Sequence, residues 1–120
     1  MPLSCLLVDD NDAFLETARD LLEREGVQVA GVASNIAGAL RQARALRPDV
    51  ILVDIGLGKE SGFELARLLA ADGQGGGADV ILISAQAATD YTDLIAESPA
   101  AGFVPKSELS AHRINQILNR

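Results

Sequence analysis

The 120-residue chain contains no tryptophan, one tyrosine and one cysteine, and aromatic residues make up only 3% of it. One cysteine excludes an internal disulfide. Cys5 stands among Leu3, Leu6, Leu7 and Val8, where a thiol serves as a small buried hydrophobe rather than a reactive group. With a single histidine beside it, the chain is also too poor in soft ligands for zinc. Basic residues are scarce, 10 against 17 acidic ones, for a formal charge of -7. That balance disfavours direct contact with nucleic acid or an anionic membrane, since both reward basic patches. No apolar run approaches the ~20 residues that span a bilayer, and the N-terminus lacks a basic, apolar, small-residue signal pattern. The expected compartment is the cytoplasm.

What is present is a core: 48% of the residues are hydrophobic, and 120 residues suit one domain over 1–120. Strand-like and helix-like segments alternate throughout, which predicts an α/β fold with a parallel sheet. Leu6-Leu7-Val8 opens the series. Phe14, Ala18, Leu21 and Leu22 then recur at helical spacing between Asp12 and Glu25, with Gly26 as a C-terminal stop. Val27 to Val32 reads as a second strand, and Asn35 can cap a helix from Ile36 to Leu46 that turns Ile36, Leu40 and Ala43 inward before Pro48 bars continuation. Val50 to Val53 is uniformly apolar, as a central strand covered on both faces must be. Phe63, Leu65, Ala66, Leu68 and Leu69 build a third helix after a loop holding Gly56, Gly58 and Gly62. Asp72 to Asp79 is glycine-rich but precedes a strand, so it reads as a connector and not a phosphate loop. Val80 to Ile83, a helix over Thr89 to Glu97, Gly102 to Val104 and a helix over Ser107 to Asn119 complete five strands and five helices.

Charge gathers where the apolar runs stop. Asp9 and Asp10 follow Val8, Asp54 follows Val53, Ser84 follows Ile83 and Lys106 follows Val104-Pro105. In an open α/β sheet the ligand crevice lies at the carboxyl ends of the strands, so these side chains are expected to converge. Each alone has a duller role: Asp9 and Asp10 can favour a helix N-terminus, Asp54 can start a turn, Ser84 can cap a helix and Lys106 can be a solvated cation. Their coincidence at strand ends argues for a site. His112 has polar neighbours and reads as solvated; Phe103 reads as core and Tyr91 as surface.

Close carboxylates repel by roughly 3 to 4 kcal/mol per pair at an effective dielectric near 20. A hard divalent cation offsets this, and an oxygen-only donor set suits Mg²⁺, with Mn²⁺ as a substitute. Lys106 adds a point charge able to pair with a carboxylate or a phosphoryl oxygen. A phosphoryl group entering such a site can be attacked in line by a carboxylate oxygen, and Asp54, after the most central strand, suits that role.

The set Asp9-Asp10, Asp54 with Gly62 eight residues on, Ser84-Ala85, and Phe103 with Lys106 three residues later resembles the receiver domain of bacterial two-component response regulators, over essentially the whole chain. The resemblance implies a doubly wound, flavodoxin-like sheet of order 2-1-3-4-5, as in CheY. It implies Asp54 as phosphoacceptor, and Mg²⁺ bound directly by Asp10, Asp54 and the Gly56 carbonyl, with Asp9 acting through water. Ser84 would hydrogen-bond the phosphoryl group, Lys106 would ion-pair with it, and Phe103 would be an aromatic switch acting on the face of the fourth helix, fifth strand and fifth helix. The implied partners are a sensor histidine kinase or phosphotransfer protein as donor and a downstream protein or output domain, with a second receiver, as a homodimer on activation, also compatible. Catalysis would be limited to the domain's own phosphorylation and dephosphorylation. Departures are Gly58 where the family often has proline, and Ser107 where proline commonly follows the lysine, so no cis peptide is expected there. Gly102 to Ser107 resembles receivers joined to helix-turn-helix output domains, yet the last helix reads as complete, favouring a stand-alone receiver.

Two rivals come from other classes. A receiver-like interaction module working without phosphate usually lacks part of the acidic set that this chain retains. A phosphohydrolase of the haloacid dehalogenase type needs a second acid two residues after the nucleophile, where Gly56 stands.

Overall fold

The computed structural model describes residues 2–71, 76–86 and 88–119. Its central sheet contains β1 (Ser4–Val8), β2 (Gln28–Ala33), β3 (Val50–Asp54), β6 (Asp79–Ser84) and β7 (Gly102–Pro105), all parallel, in the order β2-β1-β3-β6-β7. Two further strands, β4 (Gly56–Leu57) and β5 (Glu60–Ser61), pair only with each other as an antiparallel hairpin. Counting main-sheet strands alone, the order is the expected 2-1-3-4-5. The helices are α1 (Asp12–Arg24), α2 (Ile36–Leu46), α3 (Gly62–Ala70), α4 (Thr92–Glu97) and α5 (Ala111–Leu118). The first half of the connector read over Asp72 to Asp79, residues 72–75, lies outside the described residues.

The sheet separates two apolar layers. Leu6, Val8, Ile51, Val53 and Leu82 face Ala39, Ala43, Leu65 and Ala66, while Cys5, Leu7, Leu52, Ile81 and Ile83 face Leu15, Ala18, Leu22 and Ile114. Val50 to Val53 is fully buried, as the uninterrupted apolar run requires of a strand covered on both sides. Cys5 belongs to the second layer, and burial pushes its thiol up to about 12, which keeps it protonated and inert.

Sequence cues account for the helix starts. Asn11, Asn35, Ser61 and Ser110 each accept a backbone N–H two or three residues on. Gly26, at φ +89°, ends the first helical segment as expected. Three readings need correction. In α1 the buried set is Leu15, Ala18 and Leu22, whereas Leu21 is exposed, because the phase set by the Asn11 cap turns it one residue off the inner face. The helix read over Thr89 to Glu97 is a 3₁₀ turn, Ala88–Asp90, followed by the short α4. The helix read from Ser107 begins only at Ala111: Lys106–Glu108 form a 3₁₀ turn, buried Leu109 is extended and Ser110 caps α5. No helix among the described residues is long and apolar enough to cross a membrane.

Candidate functional site

β1, β3, β6 and β7 are neighbours in the sheet and all point the same way, so the residues at their carboxyl ends are brought to one edge. Asp9, Asp10, Asp54, Ser84 and Lys106 all lie there, as the sequence predicts. One carboxylate oxygen each from Asp9, Asp10 and Asp54 fits within a 4.8 Å span.

Each acid has a different environment. Asp9 is fully buried; its N–H donates to the Ala33 carbonyl at 3.0 Å and its Oδ1 accepts the Asn11 N–H at 2.9 Å, which locks the turn from β1 into α1. Its Oδ2 accepts no hydrogen bond but lies 2.6 Å from Lys106 Nζ, a charge contact without hydrogen-bond alignment. Asp10 is exposed. Asp54 is half-buried, accepts the Gly56 N–H and lies 3.5 Å from Lys106 Nζ through Oδ2. Burial, reinforced by the Asp9 charge, pushes the Asp54 carboxyl up to about 6, with Lys106 and the Gly56 N–H opposing that rise in part.

Lys106 is held from a second direction. Its ammonium lies 4.2 Å from the centroid of the Phe14 ring on α1, a cation–π contact that limits where the long side chain can swing. Helical spacing puts Phe14 on the inner stripe of α1; nothing local in the sequence signals its contact with a lysine 92 residues away. Ser84 is buried, and its Oγ accepts the Gln86 N–H at 3.0 Å, so its hydroxyl hydrogen remains able to donate. Gln86 Oε1 in turn accepts the Tyr91 hydroxyl, and the Tyr91 ring packs tilted on Phe63 with centroids 6.3 Å apart. Tyr91 is therefore half-buried and not simply a surface aromatic. Phe103, also half-buried, packs against the same apolar layer as Tyr91 and Ile95. His112 is exposed, as expected.

The loop after Asp54 is more ordered than its glycines suggest. At Gly62 a side-chain Cβ would come within 2.1 Å of the Asp54 carbonyl oxygen, so only glycine allows α3 to start this close to the end of β3. Gly56 pairs with Ser61 and Leu57 with Glu60, leaving Gly58 and Lys59 as a two-residue turn. Gly58 has φ +66°, a value closed to proline, whose ring holds φ near −65°. Its missing Cβ would sit 3.5 Å from Asp10 Oδ2, so the turn arches over the acidic cluster.

A parallel, doubly wound sheet carrying three carboxylates, a hydroxyl and a lysine at one carboxyl edge defines an α/β protein with an acidic pocket suited to a hard cation. The family of response regulator receiver domains matches residues 5–119, and the chain belongs to it. The chain is 32% identical over 106 residues to the polar-differentiation response regulator DivK of Brucella anthropi, an alignment covering 88% of this chain and 85% of that protein. A Pseudomonas aeruginosa relative that carries the name transcriptional regulator is 37% identical over 106 residues, covering 86% of this chain but only 49% of its own length. The chain thus spans about half the length of some curated relatives. Among solved structures, a Burkholderia pseudomallei response regulator with a phosphorylated aspartic acid, calcium ion and citrate superimposes with a TM-score of 0.81 at 26% identity, covering 96% of this chain and 66% of that one.

Proposed function

We propose that this domain accepts a phosphoryl group on Asp54 in a Mg²⁺-dependent reaction, and that the modification switches a partner-binding face. The carrying observation is the charge arrangement: three carboxylates within one crevice against a single ammonium leave the pocket with excess negative charge, and Asp9 Oδ2 is buried there without a hydrogen bond. An oxygen-only donor set fits Mg²⁺ or Mn²⁺. Asp10, Asp54 and the Gly56 carbonyl would hold the ion directly and Asp9 through water, consistent with exposed Asp10 and lysine-bound Asp9. When bound, the ion supplies neutralisation of the phosphoryl oxygens.

An Asp54 carboxylate oxygen attacks phosphorus in line; a P–N bond breaks if the donor is a histidine kinase or phosphotransfer protein, a P–O bond if it is acetyl phosphate, and the donor leaves with the bond's electron pair. Lys106, already within 3.5 Å of Asp54, pairs with the incoming phosphoryl oxygens, and Ser84 donates its hydroxyl to them. The Ser84 movement this requires vacates space for Phe103, which remodels the surface of α4, β7 and α5 toward a downstream protein, an output domain or a second receiver. Residues 1–120 act as one receiver domain in the cytoplasm, catalysing only their own phosphorylation and dephosphorylation. The phosphorylated, calcium-bound Burkholderia relative supports this reading.

Intact mass after incubation with Mg²⁺ and acetyl phosphate or phosphoramidate tests it. One added phosphoryl group is expected, absent from an Asp54→Asn variant and from a metal-free sample. No addition, even with a histidine kinase donor and verified Mg²⁺ binding, would favour an interaction module that works without phosphate.

A further inference from the structure

Gly58 removes the stiffness that a proline would give the loop carrying Gly56, yet that loop is anchored from outside. The Glu60 carboxylate, on β5, accepts the Ile36 N–H at 2.9 Å across 24 residues of sequence. Ile36 opens α2, and α2 has no acidic residue in its own first turn. Its N-terminal amides meet two acceptors, one from its own cap and one from outside: Asn35 Oδ1 takes the Gly38 N–H at 2.8 Å, and Glu60 takes that of Ile36. A carboxylate is the favoured partner there, because the helix end carries partial positive charge. α2 is itself fixed to the sheet through fully buried Ala39 and Ala43.

We propose that Glu60 is a positioning residue for the cation site: its bond to α2 holds the tip of the Gly56–Ser61 hairpin so that the Gly58 turn stays over Asp10 and the acidic cluster. The inference rests on Asp10, Asp54 and Gly56 forming the Mg²⁺ site. Leu57 is buried in the core, and the Gly62 N–H donates to the Ile55 carbonyl at 2.9 Å, so the base of the hairpin is held without Glu60. Beyond the Leu57–Glu60 pair the tip is exposed at Gly58, Lys59 and the Glu60 side chain, and the Ile36 bond tethers that tip to α2. Because Glu60 is exposed, substitution leaves the core intact.

The test is Mg²⁺ affinity by calorimetry, with the Ile36 amide exchange rate followed by nuclear magnetic resonance, in the parent, Glu60→Ala and Glu60→Gln. Glu60→Gln retains an acceptor oxygen but not the charge, so it separates the tether from simple loss of a nearby negative charge. Glu60→Ala is expected to weaken Mg²⁺ binding roughly fivefold, the size of one lost hydrogen bond, and to speed Ile36 exchange, while Glu60→Gln stays near the parent. Parent-like affinity in Glu60→Ala overturns the proposal, and so does equal weakening in both variants. A parent that binds no Mg²⁺ overturns instead the site assignment on which the tether depends.

Discussion

The Lys106 ammonium lies closer to Asp9, at 2.6 Å, than to Asp54, at 3.5 Å, so without a cation the lysine chiefly neutralises the buried carboxylate. It is then an electrostatic competitor of any metal ion drawn to the same acids. A unit charge at ~4 Å is worth about 4 kcal/mol at an effective dielectric near 20, and even a third of that is a tenfold change in affinity. Lys106→Met is therefore expected to bind Mg²⁺ roughly tenfold more tightly in calorimetry while accepting phosphoryl more slowly. Weaker Mg²⁺ binding in Lys106→Met would show that the lysine organises the acids instead of competing for them.

Asp54 sets a pH dependence with a definite sign. Its carboxyl is pushed up to about 6 from an ordinary 3.8, so between those values the folded protein holds a proton that the unfolded chain has released. Stability from this group is then greatest at low pH and is lost as pH rises through about 6. Asp54→Asn should be more stable than the parent at pH 7, and the difference should vanish near pH 4, as read from urea midpoints. Mg²⁺ affinity of the parent should move the other way, falling as pH drops below about 6, since a proton and the cation compete for one carboxylate.

Much of this is legible in the sequence because the apolar pattern and the charges reinforce one another. An uninterrupted Val50 to Val53 between Pro48 and Gly56 reads as a central strand, which in turn places Asp54 between the ends of β1 and β6. What escapes the sequence depends on long-range geometry. The Phe14–Lys106 contact, the Glu60–Ile36 bond and the pairing of Gly56–Leu57 with Glu60–Ser61 each join residues that local periodicity does not relate. The start of α5 is misread for a local reason: Ser107 and Ser110 are both competent caps, and burial of Leu109 between them decides for Ser110.

Gly62 is the position where the fold and the site constrain each other most tightly. A Cβ there would lie 2.1 Å from the Asp54 carbonyl oxygen, against backbone that cannot yield without moving the carboxylate. Gly62→Ala should cost about 2 to 4 kcal/mol and also weaken Mg²⁺ binding, because relief of the clash displaces Asp54. Thermal melting and calorimetry together check this. Unchanged Mg²⁺ affinity in a destabilised Gly62→Ala protein would mean that the strain is absorbed in α3.

Phe103 tests whether the switch runs through this chain as proposed. On β7 it pairs in register with Leu82, two residues before Pro105 meets Ser84, so the aromatic ring and the hydroxyl belong to adjoining steps of the same strand pair. Ser84 is buried and engaged with Gln86, hence its movement toward a phosphoryl group must disturb packing on the side where Phe103, Tyr91 and Ile95 share one apolar layer. Phe103→Ala removes the bulky element of that layer at a cost of about 1 to 3 kcal/mol, moderated because the ring is only half-buried. Asp54 phosphorylation should persist in Phe103→Ala, while amide shifts across α4, β7 and α5 should lose most of their response to it. If those amides respond as in the parent, the signal reaches that face without Phe103, and the Gln86–Tyr91 hydrogen bond becomes the route to test.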